Sequence, residues 1–237
     1  MKRFLVFLFV LMVLIPSFAK PGAITITEVV PPKSRMSTQW TFVIDGSSSL
    51  WTEGLQTKCS LLKKSNTAFQ YATSFPTDEL DFNIFLFAGD ANKEKHVYRD
   101  WAPVNPNEIN KARAWMTDNM GPYNLGLYSH GGKSIELALK QKIGTLSIII
   151  ITDGGFTSAC YGKGFKTIED IIIEGQNWRL LNGYSKASIC TIGIENRHYF
   201  GGGKPDDEIC QKFLKKIGSD YYGGYFYVSA EHTSEIK

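Results

Sequence analysis

The chain has 237 residues, with 26 Lys or Arg against 23 Asp or Glu and a formal net charge of +3. Charged residues at 21% and aromatics at 13% exclude a disordered chain, a collagen and a coiled coil. Positions 1–19 read as a secretory signal peptide: Lys2 and Arg3, the apolar run Phe4 to Ile15, then Ser17-Phe18-Ala19 with small residues where a signal peptidase reads. That run is twelve residues long, against the roughly 20 that a membrane-crossing helix needs. The expected mature protein is therefore soluble, secreted or periplasmic, cleaved after Ala19. Losing Lys2 and Arg3 leaves 3 − 2 = +1, which gives no electrostatic reason to bind nucleic acid.

An amino-terminal segment, 20–38, precedes one expected domain over 39–237. Within the segment, Ile24 to Val30 alternates like a strand before Pro31-Pro32. Trp40 to Ile44 is the first strong strand and ends on Asp45. Leu55, Cys59, Leu62, Phe69 and Ala72 recur at near-helical spacing, which predicts a helix over 57–75. Phe82 to Ala88 is a second buried strand, and Val97 to Trp101 a short neighbour or edge strand. Asn105-Pro106-Asn107-Glu108 predicts a helix start, with Asn105 as cap and Glu108 as the reciprocal carboxylate. Gly121-Pro122 stops that helix, and Ser134 to Lys142 forms a short one.

Leu146 to Thr152 is the most apolar strand. Its four consecutive isoleucines have no polar face, so it lies in the centre of the sheet, covered on both sides. It ends on Asp153-Gly154. A helix over 167–182 is closed by Gly183, with Gly175 running against it. Ser188 to Ile194 is another strand. Asp206 to Ile217 is a helix with Ile209, Phe213, Leu214 and Ile217 on one face and Gly218 after its end. Tyr225 to Val228 is the last strand. Strands alternating with helices predict an α/β fold: an open, mostly parallel, doubly wound sheet with helices on both faces, in one domain.

The chemistry concentrates in two acidic turns, Asp45-Gly46-Ser47-Ser48-Ser49 and Asp153-Gly154. In an open parallel sheet, residues just past the carboxyl ends of neighbouring strands converge where the strand order reverses. Two carboxylates and the hydroxyls of Ser47 and Ser49 form an all-oxygen set suited to a small hard cation. The D-x-S-x-S turn, the T-D-G turn after the isoleucines and the strand Ile192-Gly193-Ile194 together resemble a von Willebrand factor type A domain, over residues 39–229 or so. The resemblance implies a metal-ion-dependent adhesion site with Asp45, Ser47, Ser49 and Asp153 as ligands. It implies Mg²⁺ or Mn²⁺ as the ion, and a protein partner that docks through an acidic side chain.

One position departs from the family's pattern. Lys133 stands where a threonine ligand is expected, and an ammonium has no lone pair for a metal. Two readings follow: Ser134 takes the place by a one-residue shift, or the Lys133 ammonium occupies the cation position in a metal-free interaction module. Trp51, Tyr161 and Tyr199 crowd the same loops and are expected partner contacts, with Phe156 packing among them. The four histidines show no metal-ligand spacing and are expected in surface or loop roles. His130-Gly131-Gly132-Lys133-Ser134 is not a phosphate loop, because Leu127 stands where a glycine is required. Without a G-x-S-x-G elbow an enzyme is not expected, and a metal-dependent hydrolase is the third reading. Cys190 lies in a strand pattern as a buried thiol, while Cys160 and Cys210 are the expected disulfide among three complete connectivities. The resemblance also implies a fuller closing helix than the nine residues Ser229 to Lys237 allow. One sheet face near the last strands then needs cover, and residues 24–30 are the nearest candidate.

Overall fold

β-branched and aromatic runs that have no polar face become the middle of one seven-stranded sheet. The computed structural model describes residues 24–30, 38–47, 69, 80–90, 93–120, 125, 129–153, 167–194 and 207–230. Its strands are β1 (Ile24–Val30), β2 (Gln39–Asp45), β3 (Asp81–Asp90), β4 (Lys93–Pro103), β5 (Ser147–Thr152), β6 (Ser188–Ile194) and β7 (Tyr222–Ala230). Among the described residues the helices with a full range are α1 (Pro106–Asn119), α2 (Gly132–Leu139), α3 (Ile168–Leu181) and α4 (Asp207–Asp220). Strand order is β1-β7-β6-β5-β2-β3-β4. The five inner strands are mutually parallel, while β1 and β4 run antiparallel at the two edges. The fold is thus the expected α/β sheet, mostly parallel.

Alternate residues of each strand feed two cores. Trp40, Phe42, Ile44, Phe82, Ile84 and Leu86 pack with Phe69 and with Ala112 and Met116 of α1. On the opposite face, Val43, Phe85, Ile148 and Ile150 meet Ile135, Ala138 and Leu139 of α2, Ile171 and Ile172 of α3, and Ile217 of α4. Burying a side chain of this kind contributes about 1.5–3 kcal/mol. Cys190 is buried in the first core, and burial pushes its thiol up to about 12. The expected helix over 57–75 lies outside the described residues except for Phe69. So do Gly121-Pro122, Cys59, Cys160 and the side chain of Cys210.

The helix ends show where local signals hold and where they yield. The Asn105 carboxamide oxygen accepts from the Glu108 N–H at 2.9 Å, as a cap should. The Glu108 carboxylate does not reach back; it sits on Arg99 at 2.9 Å and Lys111 at 2.7 Å. Two charged partners outcompete one backbone amide. A full capping box forms instead at Thr167 and Asp170. Gly175 inside α3 marks a close helix contact: a Cβ there would fall 2.6 Å from Leu139 Cδ1 and 2.8 Å from its Cβ. Gly218 does not end α4, which continues to Asp220. A Cβ at Gly218 would lie 2.2 Å from the Gly224 carbonyl oxygen, so the glycine lets α4 pass against β7.

Arg179, fully buried in α3, closes the far end of the molecule. Its guanidinium donates to the carbonyls of Ser185 and Ile143 at 2.7 Å and of Leu139 and Gln141 at 3.2 Å. The Leu139 carbonyl at the end of α2 and those of Gln141 and Ile143 just beyond it are thereby satisfied from α3. At one sheet edge β1 pairs with β7 from Ile24↔Ala230 to Val30↔Tyr225. Residues 24–30 therefore pack on the domain as an added edge strand. Among the described residues no helix is long and apolar enough to cross a membrane.

Candidate functional site

β2 is the strand from which the sheet grows in both directions, with β3 on one side and β5 on the other. The β2–β5 register pairs Ile44 with Ile151, which sets Asp45 level with Thr152 and Asp153 one residue beyond. Asp45 is 0% exposed, Ser47 1% and Asp153 6%, so these three residues lie out of water. Three of the four predicted ligands are thus brought together. Ser49 lies outside the described residues, as do Trp51, Phe156, Tyr161 and Tyr199.

Both oxygens of the Asp45 carboxylate already have donors. One accepts from the Ser47 N–H at 2.9 Å and the other from the Thr152 hydroxyl at 2.9 Å. These bonds favour the ionised form, yet burial and then the Asp153 carboxylate push Asp45 up to about 7. The Ser47 hydroxyl accepts from the Ser129 hydroxyl at 2.9 Å, and Ser129 is itself buried. Neither Thr152 nor Ser129 was singled out from the sequence. Thr152 could have been found as the last strand residue before Asp153, whereas nothing local marks Ser129.

The two residues expected to replace the missing threonine are used elsewhere. The Lys133 ammonium lies on the Glu136 carboxylate at 2.8 Å, one turn along the same helix. It also depresses His96 on β4, after burial, which places its charge toward that strand. The ammonium that the metal-free reading sets in the cation position is here paired with a half-buried carboxylate of its own helix. The Ser134 hydroxyl donates to Glu94 at 3.1 Å, which points it to β4. His130 is buried rather than at the surface, beside Ser129.

The donor set is all oxygen: two carboxylates and the hydroxyls of Ser47, Thr152 and Ser129. Among the described residues no group of three or more His, Cys, Asp and Glu gathers as a metal site. An ion among these described residues would depend on hydroxyls as much as on acids, a set that suits Mg²⁺ or Mn²⁺. Two neighbouring buried carboxylates beside these hydroxyls are a fit for a divalent ion. Asp45 and Asp153 would act mainly as charge.

No family model matches the sequence, and neither does any curated protein. Solved structures do resemble the fold. An aerotolerance-related membrane protein from Bacteroides fragilis is similar over 83% of this chain and 92% of its own, at 15% identity and a TM-score of 0.48. A von Willebrand factor type A protein from Catenulispora acidiphila is similar over 87% of this chain and 46% of its own, at 13% identity and a TM-score of 0.48. Proximal thread matrix protein 1 from the mussel byssus is similar over 81% of this chain and 47% of its own, at 14% identity and a TM-score of 0.42.

Proposed function

We propose that this chain is a secreted or periplasmic protein-binding module of the adhesion type, which holds Mg²⁺ or Mn²⁺ at the carboxyl ends of β2 and β5. Asp45 and Asp153 supply the charge, and Ser47 and Ser49 supply hydroxyl ligands, with Ser129 in hydrogen-bond contact behind Ser47. The bound ion would supply the positive charge that recruits an acidic side chain of a protein partner. The observation that carries this reading is the burial of Asp45 beside Asp153, with the Ser47 and Ser129 hydroxyls hydrogen-bonded to each other at the same place. Neutral hydroxyl ligands leave an ion with residual charge, which is what capture of a carboxylate requires.

Residues 1–19 support export. Binding in place of turnover is supported by the absence of a nucleophile-elbow pattern in the sequence. Calorimetric titration of Mn²⁺ into chelator-treated protein tests the reading. Saturable binding is expected in the wild type and its loss in Asp45→Ala and Asp153→Ala. A wild type that takes up no ion overturns the metal site, and phosphoester or peptide turnover abolished by Asp153→Ala would favour a hydrolase.

A further inference from the structure

The segment between α1 and α2 has to deliver a hydroxyl to the site and begin a helix a few residues later. Ser129 donates to Ser47 at 2.9 Å, and α2 starts at Gly132. That start has no cap of its own, because Gly131 at the cap position makes no side-chain bond. The acceptor comes from another element. The Glu94 carboxylate on β4 takes the Lys133 N–H at 2.6 Å, the Ser134 N–H at 2.9 Å and the Ser134 hydroxyl at 3.1 Å. Glu94 pairs with Gly89 across the β3–β4 hairpin, while Phe87, two residues earlier, pairs with Asp45. Glu94 therefore stands at the same pole as the two acidic turns. A carboxylate on helix-start amides is favoured by the helix dipole, and such bonds are shorter and about twice as strong as neutral ones.

We propose that Glu94 is a positioning residue for the ion site, a latch that fixes the 129–134 segment and so holds the Ser129 hydroxyl on Ser47. The inference rests on the ion-binding reading above and adds control of that site from the edge of the sheet. β4 is the terminal strand on its side. A partner that displaces the β3–β4 hairpin would pull Glu94 from α2 and loosen the hydroxyl, with no contact to either acid.

Two measurements test it, one with metal and one without. Mn²⁺ affinity should fall about tenfold or more in Glu94→Ala, the usual effect of removing a group that orients a ligand. Glu94→Gln should fall between, since its carboxamide oxygen still accepts one of the amides. Independently of metal, Ser47→Cys with Ser129→Cys should close a disulfide rapidly under mild oxidant when Glu94 is present and slowly when it is replaced by Ala or Gln. Equal closing rates in all three backgrounds overturn the latch, whether or not the protein binds metal. A wild type that binds no Mn²⁺ while its paired cysteines close in a Glu94-dependent way would sink the ion and leave the latch standing.

Discussion

Asp45 is the residue at which the burial of the strands and the chemistry of the turn collide. Its folded-state pKa is about 7 against 3.8 for an ordinary aspartate, with burial the larger cause and Asp153 the second. Between those two values the folded protein binds more protons than the unfolded chain. Stability of the metal-free protein is therefore full below the lower value and lost as pH rises through the upper. Melting temperatures in chelator should fall from pH 4 to pH 8, and Mg²⁺ should oppose the fall at the upper end through ligand linkage. Asp45→Asn should flatten the profile; an unchanged slope in that variant would assign the effect to another group. Arg179 is the second residue whose role depends on burial. Arg179→Ala strands several buried carbonyls and should cost on the order of 3 kcal/mol, with Lys in between, read as a lower denaturant midpoint at constant slope. Asp45 and Asp153 were legible because each sits in a short motif directly after an apolar run. Ser129 and Arg179 were not, because their partners are 82 and up to 40 residues away in sequence.

Among the described residues the helices form close to where apolar spacing and caps predict them, and their departures have steric or electrostatic causes. Gly175 looked like a weakness in α3 and is instead the contact point with α2. Gly175→Ala should gain about 1 kcal/mol of helix propensity and lose about 1–3 kcal/mol to the collision with Leu139. A net loss of thermal stability is expected, and a more stable variant would show that the two helices can part freely. Gly218 misled in the other direction. A glycine after an apolar helical stretch reads as a stop, but here close passage of β7 requires it inside the helix. Local pattern cannot separate these uses, since both depend on what lies opposite. The Asn105 cap was legible to the residue, and its carboxylate partner was not, because Arg99 belongs to a different element.

Across the whole molecule, hydrophobic pattern told which strands are buried but not which are neighbours. The alternation of Ile24 to Val30 marked a strand, yet its partner is two hundred residues away along the chain. Deleting residues 20–32 should leave the β7 edge unpaired, and unpaired edges recruit other strands. Self-association by light scattering is the expected result. A monomeric truncation of equal stability would show that β1 seals nothing.

The antiparallel pairing of β1 with β7 also fixes how the molecule bears load. Ile24 lies opposite Ala230, so chain leading into β1 and chain leaving β7 emerge side by side, at the pole that carries Asp45 and Asp153. Tension applied through those two exits would part the β1–β7 bonds one at a time from that pole, instead of shearing them together. A module strained in this way peels its outermost strand first and leaves the parallel core intact. Tension between the proposed ion site and a tether at β1 would enter and leave at one pole, sparing the Arg179 end.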